Sequence, residues 1–530
     1  MSNYVATSGE QSQVTHKNLI VSAGIISGAT FCSRILGFLR DMVMANMFGA
    51  EMVTDAFLVA FRFPDLLRRL MGEGALSSSF IPVFTEYLHR KGQPESWNLA
   101  NKVISLVLIA LTIIVALSLL FAPWIVMICA PAYRKSPRQF YLTTLLTRVL
   151  FPYIFFIGLG SLAMGILNSF NHFLIPALSP AILNIAIISS AYFIAPGLRQ
   201  PIVGLAIGVL LGGMLQLFFE LPILIHKGMR FRFTVDLQHE GLRRIGILML
   251  PSTVGLAVAE INSMVDTLCA TFLPEGSVSY LYYSNRLIQF PLGLFGIAIG
   301  TAILPTLSGQ AARGEIHAVK GTFSFGLRLV MFITLPATFG LIICRRMIIS
   351  VLFQRGAFTS GAAQATATAL LMYAVGLFAY AAVKVIVPVF YSFQDTKAPV
   401  KAAVISLIFN IFLNIILMWP LKHGGLALST SLSSILHLLL LFYYLRKKMG
   451  PLGGRKLLFS CLKITAASIL TGAGIWVMVW QSNFTALSRT SCTLALMIII
   501  FAGILLYAGI SYLMGSPEIA FLVDAFWKKS

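Results

Sequence analysis

The chain has 530 residues, 58% of them hydrophobic and 11% charged, where a soluble domain of average usage carries about 25% charged residues. That composition excludes a soluble enzyme, a fibre and a disordered chain, and the lack of period-two alternation excludes an outer-membrane barrel. The formal net charge of +21 would suggest nucleic acid in a soluble protein, but here its distribution carries the information and no nucleic-acid partner is expected.

A membrane helix needs about 20 apolar residues, and fourteen such stretches are predicted: 18–40, 53–88, 103–129, 139–169, 174–195, 201–226, 241–272, 277–311, 318–345, 362–393, 398–420, 424–446, 457–480 and 490–514. The fold class is therefore an all-α polytopic membrane protein. Several stretches exceed one bilayer thickness, which implies tilt, a kink or a protruding end, and Pro64, Pro152, Pro251, Pro291, Pro305, Pro336 and Pro388 supply places to bend. Residues 1–16 are polar and lack a basic n-region, so no cleavable signal peptide is expected. The six cysteines are scattered with mostly apolar neighbours and read as small packing residues, giving neither a disulfide framework nor a metal site.

Lysine and arginine set the orientation. The termini plus the even-numbered connections hold 21 of them, the odd-numbered connections ten, which places both termini in the cytoplasm. The dense basic run from Arg446 to Lys463 reads first as a solvated face and second as a surface for anionic lipid headgroups.

The chain also repeats itself. The segments "FIPVFTEYLHRKG" and "ILPTLSGQAARGE" put Pro82 on Pro305 and Arg90 on Arg313 at an offset of 223 residues, and the same offset carries Phe170 onto Phe393 and Pro176 onto Pro399. "GLA" at 204–206 returns at 425–427, within two residues of that register. Two parallel six-helix lobes, 18–226 and 241–446, follow from this, related by a pseudo-two-fold axis along the membrane normal with a cavity between them. The pair at 457–514 has no counterpart and is read as appended.

Ionisable residues deep in a span are costly and usually face water or a partner. The second stretch places Asp55, Arg62, Asp65, Arg68, Arg69 and Glu73 close together, with Arg68 more than about 20 Å from either end by helical rise. It must line something wet. Pro64 and the Gly72-Glu73-Gly74 interruption let the chain bend around that space. In the first stretch Arg34, Gly37 and Asp41 share a face, with Arg40 a third of a turn away. Arg286 opens the eighth stretch, Lys384 lies well inside the tenth, and Arg148 and Arg328 sit nearer span ends in interfacial or structural positions. Arginine's planar fork donates paired hydrogen bonds to phosphate oxygens at any relevant pH, so the substrate implied is anionic and phosphate-bearing.

The segments "SRILGFLRD" (33–41), "TDAF" (54–57), "FPDLLRRLMGEGALSSSFIPVF" (63–84), "YYSNRL" (282–287) and "QDTKAPV" (394–400) resemble the MurJ/MviN lipid II flippases of the multidrug/oligosaccharidyl-lipid/polysaccharide exporter superfamily, over nearly the whole chain. The resemblance implies a transporter, not an enzyme. It would carry undecaprenyl diphosphate bearing a disaccharide pentapeptide from the cytoplasmic to the periplasmic leaflet of the bacterial inner membrane, for peptidoglycan synthesis. Cell-wall synthesis proteins and membrane lipids are its implied partners.

Carried over by position, the cavity arginines fall on Arg34, Arg40, Arg68 and Arg286, with the motif acid on Asp55 and with Ser33 and Glu73 in the same motifs. Their implied role is to hold the diphosphate and couple its binding to closure. Phe393 stands where many relatives carry a basic residue, and Asn285 where some carry an acid. Asp266, Asn410, Asn414 and Thr430 resemble a sodium site of some members, and oxygen ligands suit a hard cation, although amides and hydroxyls also hold membrane helices together. No other cofactor is expected, and the driving force is sodium or the membrane potential. Two other readings are an exporter of drugs or polysaccharide from the same superfamily and a membrane enzyme acting on polyprenyl phosphates. The second would need a catalytic group, and the sequence has no Asp-x-Asp, no metal cluster and no nucleophile elbow.

Overall fold

The computed structural model describes residues 28–70, 75–484, 487–519 and 521, and every regular element among them is helical. Helix α1 covers 28–48. It is followed by α2 (Met52–Arg68), α3 (Ala75–Arg90), α4 (Gln93–Leu120), α5 (Ala122–Cys129), α6 (Pro137–Leu150), α7 (Tyr153–Ser169), α8 (Leu174–Phe193), α9 (Ile202–His226) and α10 (Glu240–Thr271). Then come α11 (Ser277–Pro291), α12 (Ile297–Ala312), α13 (Ile316–Leu352), α14 (Ser360–Ala374), α15 (Leu377–Ser392), α16 (Lys397–Leu421), α17 (His423–Met449), α18 (Gly454–Gln481) and α19 (Arg489–Leu513). The chain divides into two compact units. One holds the described residues up to Phe48 together with Met52–Glu260, and the other holds Gly49–Glu51 and the described residues from Ile261 onward.

The outward faces of these helices are apolar: Phe193 is 83% exposed and Leu513 85%. Polar groups turn inward. Buried hydroxyls are satisfied within their own helix, as where Thr143 donates to the Gln139 carbonyl at 2.7 Å, Ser161 to Ile157 at 2.7 Å and Thr334 to Val330 at 2.8 Å. A hydrocarbon solvent selects this inversion because it offers nothing to a polar group on the outside.

Ten helices among the described residues are long and apolar enough to cross a membrane, or eleven with the bent pair α14 and α15 taken as one. That is fewer than the fourteen expected. The remaining three expected spans coincide with α1, with α2 and α3, and with α10, and these carry the deep charges. The second expected span is two helices of 17 and 16 residues, each short of a full crossing, on either side of 71–74, which lie outside the described residues together with Glu73 and the start of the first expected span.

Element boundaries recur at the sequence offset of 223. Helix α6 begins at 137 and α14 at 360, α7 ends at 169 and α15 at 392, α8 begins at 174 and α16 at 397, and α9 ends at 226 and α17 at 449. The left-handed residues Asn171 (φ 60°) and Gln394 (φ 57°) obey the same offset.

In the first unit, glycines let α9 lie close against α8. A Cβ at Gly208 would stand 2.7 Å from Ser190 Cβ, and one at Gly212 2.6 Å from the Leu183 side chain. Close backbone approach of this kind is how membrane helices associate without a hydrophobic drive. Phe80, Phe84, Trp97 and Phe170 form the aromatic centre of this unit, with ring centroids 5.3 to 6.3 Å apart. The basic connection after α9 is laid along α4, where Asn101 donates to the Arg230 carbonyl at 3.0 Å and Lys102 to Asp236 at 2.9 Å.

In the second unit Tyr283, Phe353 and Phe358 stack around one another. The appended pair α18 and α19 packs on α13: Tyr507 donates to the Phe332 carbonyl at 2.8 Å, and Glu518 joins Arg328 at 3.3 Å and Ser460 at 2.8 Å. Arg328 thus has a structural role, as expected for its place near a span end.

At Pro152 the helix is interrupted, since α6 stops at Leu150 and α7 starts at Tyr153, yet Pro137–Ser169 runs on as a single span. In the tenth expected span the structure corrects the sequence reading. The 43° bend lies between α14 and α15, at Val375 and Gly376, while Pro388 sits inside an unbroken α15. The reason is a partner from another helix: Ser431 Oγ takes the freed carbonyls of Met372 and Tyr373 at 2.7 and 3.2 Å. Only glycine permits this approach, because a Cβ at 376 would lie 2.7 Å from Ser431 Cα.

Candidate functional site

The expected anion-binding residues of the first unit sit on α1 and α2. Ser33 gives its carbonyl to Asn184 Nδ2 of α8 at 3.3 Å, Arg34 is exposed, and Gly37 and Asp41 are buried. Arg40 turns onto its neighbour, with Nε and Nη2 donating to Asp41 Oδ1 at 3.1 and 2.7 Å. Helix α2 is tied to the end of α1 by Thr54, whose hydroxyl donates to the Phe48 carbonyl at 3.0 Å. Asp55, 2% exposed, lies in the first turn of α2, where the amide dipoles favour a carboxylate.

One helical turn apart, i,i+3 and i,i+4 neighbours meet, and at the C-terminal end of α2 this builds a charge cluster. Arg68 Nε and Nη2 donate to Asp65 Oδ1 at 3.0 and 2.9 Å. Arg69 Nε donates to Asp65 Oδ2 at 3.1 Å, and its Nη1 reaches Glu260 Oε1 of α10 at 3.2 Å. Arg62, three residues before Asp65, adds its field. Carboxylates thus bridge the guanidiniums of this cluster. Among the described residues the cluster gathers Arg62, Arg68 and Arg69 around Asp65 and Glu260, with Arg68 half-buried and Arg69 exposed.

The second unit carries Arg286, half-buried on α11, and Lys384, exposed on α15. Its other polar group is the set Asp266, Asn410, Asn414 and Thr430, which three helices bring together. Asn414 Nδ2 donates to Asp266 Oδ1 at 2.7 Å and to Asn410 Oδ1 at 2.9 Å, and Thr430 Oγ1 donates to Asp266 Oδ2 at 3.1 Å. Asn410 and Asn414 are fully buried.

The acceptors crowd here. Asn410 Oδ1 lies 3.0 Å from Asp266 Oδ1 and 3.2 Å from Asn262 Oδ1, and Asn414 Oδ1 is buried with no hydrogen bond. Either an amide turned end for end or a hard cation relieves such crowding, because an amide carries a donor and an acceptor at interchangeable positions. Oxygens from one carboxylate, amides and a hydroxyl fit a hard cation rather than a soft transition metal. Among the described residues no group of three or more His, Cys, Asp or Glu is placed to hold a metal.

Sequence reasoning missed Asn262 and Glu260, although both are polar residues in the expected seventh span and so carried the signal. It also missed a replacement at Phe393. The ammonium of Lys448, from the end of α17, stands 5.4 Å from the Phe393 ring centroid and donates to Asp395 Oδ2 at 2.7 Å. A cation is therefore present beside the "QDT" turn, supplied from 55 residues downstream.

An apolar exterior with ion pairs and amides held inside the helix packing defines a polytopic helical membrane protein. A family model described as lipid II flippase MurJ matches residues 44–507. The chain is 36% identical to a probable lipid II flippase MurJ of Vibrio cholerae over 94% of its own length and 97% of the relative's. It is also similar to the solved structure of a lipid II flippase MurJ in an inward closed conformation, with a TM-score of 0.79 and 31% identity, covering 92% of this chain and 98% of that one. The chain belongs to the lipid II flippase MurJ family. An inward-facing multidrug resistance transporter of the MATE family and MOP superfamily shares the fold alone, at a TM-score of 0.69 and 14% identity over 79% of this chain and 96% of that one.

Proposed function

We infer that this chain is a lipid II flippase of the bacterial inner membrane, a multi-pass transporter that moves the lipid-linked peptidoglycan precursor across the bilayer. Family membership over residues 44–507 supports the substrate. The observation that carries the chemistry is the gathering of Arg62, Arg68 and Arg69 around Asp65. We propose that the diphosphate is held by Arg34, Arg40 and Arg68, and that Arg286 is the second unit's contribution to the same chemistry. Asp55 and Asp41 orient the cations between turnovers, and Ser33, Glu73 and Lys384 belong to the same polar lining.

Arg68 has a carboxylate partner before substrate arrives, so binding is an exchange in which diphosphate oxygens replace Asp65 on the arginine fork. An exchange of this kind alternates access only through differential affinity for the two states. The state that receives the headgroup must hold it more tightly than the state that releases it. Fourteen spans, cytoplasmic termini, two six-helix lobes related by a pseudo-two-fold axis and an appended pair at 457–514 complete this reading, supported by the recurrence of element boundaries. Asp266, Asn410, Asn414 and Thr430 would hold sodium, which supplies a fixed positive charge beside Asp266.

The test is leaflet-resolved transport of labelled lipid II by the purified protein in vesicles. Loss of a charge-assisted hydrogen bond of about 1.5–3 kcal/mol predicts that Arg68→Ala transports at least about tenfold more slowly. Undiminished transport by a normally inserted variant overturns the role of Arg68. Failure of the unaltered chain to support growth of a flippase-depleted bacterium overturns the function.

A further inference from the structure

The first unit contains a carboxyl group that the substrate chemistry does not use. Glu220 lies on α9, six residues from its C-terminal end, or about 9 Å by helical rise. It is fully buried. Neither Oε1 nor Oε2 makes a hydrogen bond of ordinary geometry. Oε2 lies against α7, 3.7 Å from where a Cβ on Gly160 would stand, so the missing side chain makes the room that the carboxyl occupies.

One turn before it on the same face, Gln216 donates through Nε2 to the Ser179 carbonyl of α8 at 2.8 Å. The other end of this amide, Oε1, is buried and unpartnered. Three buried oxygens on one stripe of α9 thus make no hydrogen bond of ordinary geometry, and the donor that acts on the Glu220 carboxyl is the neutral Ser179 hydroxyl of α8. An ionised carboxylate cannot remain there, since burying an unpaired charge costs far more than neutralising it. A protonated carboxyl brings a donor of its own to the stripe.

Among the described residues, the elements packed on α9 place no charge within the electrostatic reach of Glu220. Helix α7 carries the single titratable residue Tyr153 and α8 the exposed Tyr192, while α6 carries Arg138, Tyr141 and Arg148, all exposed. His226 on α9 is exposed. On α2, Asp65 and Arg68 hold each other at 2.9 Å, Asp55 is a further acid and Arg62 is half-buried beside Asp65. Packing does not require a carboxyl either. The second repeat places Leu441 at this position in the register of the "GLA" motif and Tyr443 in the register of the shared helix ends, neither of them a carboxyl.

We propose that Glu220 is a proton-binding site of the first unit, loaded in the state described here and unloaded at another stage of the transport cycle. The ligand is a proton, entering at the C-terminal end of α9. The O–H bond formed on loading is broken on release to water, and no other co-reactant is needed. The role of the proton in transport rests on the flippase reading; its presence on Glu220 does not.

Two measurements on the full chain in lipid nanodiscs and vesicles decide the matter. Infrared titration of the unaltered protein is expected to show a buried carboxylic C=O band that is absent from Glu220→Gln and moves in frequency in Glu220→Asp. Lipid II transport by the unaltered protein is expected to change about tenfold per pH unit on one limb of its profile, as single-proton occupancy does, with Glu220→Gln flat across that limb and Glu220→Asp retaining it. A missing band, or a Glu220→Gln profile that follows the unaltered one, overturns the proposal. If no variant moves lipid II, the flippase reading fails and the infrared band alone still decides whether Glu220 holds a proton.

Discussion

The two repeats share helix boundaries and differ in what they bury. At the offset of 223 residues, Asn410 and Asn414 of α16 fall on Ile187 and Ala191 of α8, and Asp266 falls on Val43 of α1. Asp65, Arg68 and Arg69 fall on Ile288, Pro291 and Leu292. Each repeat thus carries polar residues where the other carries apolar ones, so neither set is required by the helix framework. One unit gathers guanidinium groups and the other carboxylate, amide and hydroxyl oxygens, one chemistry suited to an anion and the other to a hard cation.

The largest break in this comparison comes from Asp65. It bridges the half-buried Arg68 and the exposed Arg69, and losing a hydrogen bond to a charged group costs about 1.5–3 kcal/mol. Asp65→Ala is expected to lower the thermal unfolding midpoint more than any single exposed charge removal. Because the groups are coupled, the double variant with Arg68→Ala should lose less than the two separate losses combined. Additive losses would show that the pair is not a unit.

Next in size is a transplant. Giving the second unit the first unit's residues, Asp266→Val with Asn410→Ile and Asn414→Ala, replaces buried polar groups by apolar ones, which is often neutral or stabilising by about 1–4 kcal/mol. The variant should fold. Its thermal midpoint should ignore sodium, whereas the unaltered protein should gain about 2.7 kcal/mol at a hundredfold excess over the dissociation constant. A sodium response that survives the transplant would place the cation elsewhere.

The framework was legible because hydropathy and proline spacing are local: Pro82 with Pro305 and Pro176 with Pro399 are enough to find the repeat, and the structure repeats its helix ends in the same register. The i,i+3 spacing of Asp65 and Arg68 was equally visible. What local sequence does not settle is whether an arginine of that kind faces its own carboxylate or a ligand. Bends show the same limit. Pro388 marks a place where a helix can bend, but the bend forms at Gly376 because Ser431, 55 residues away in sequence, accepts no substitute for a missing Cβ and takes the exposed carbonyls. Glu220 read as an ordinary residue near a span end, since its burial is made by Gly160 and the facing helix rather than by its own neighbours.

The smallest effect concerns the turn at Phe393. Beside that ring, Lys448 supplies a cation through its hydrogen bond to Asp395, whose carboxyl it holds below the usual carboxylate range. Such a depressed group stabilises the folded state fully above its unfolded value of about 3.9, and the stabilisation is lost as pH falls through the lowered folded value. Both partners are partly exposed, at 32% and 26%, so the pair contributes no more than about 1 kcal/mol and less in high salt. Lys448→Met should therefore lower the unfolding midpoint slightly at neutral pH and leave it unchanged once the medium is acidic enough to protonate Asp395 in both proteins. Adding Phe393→Lys should recover part of the loss, because it places a cation two residues from Asp395. A variant pair whose midpoints differ equally at neutral and strongly acidic pH would show that Lys448 acts through its packing on Phe393 and not through its charge.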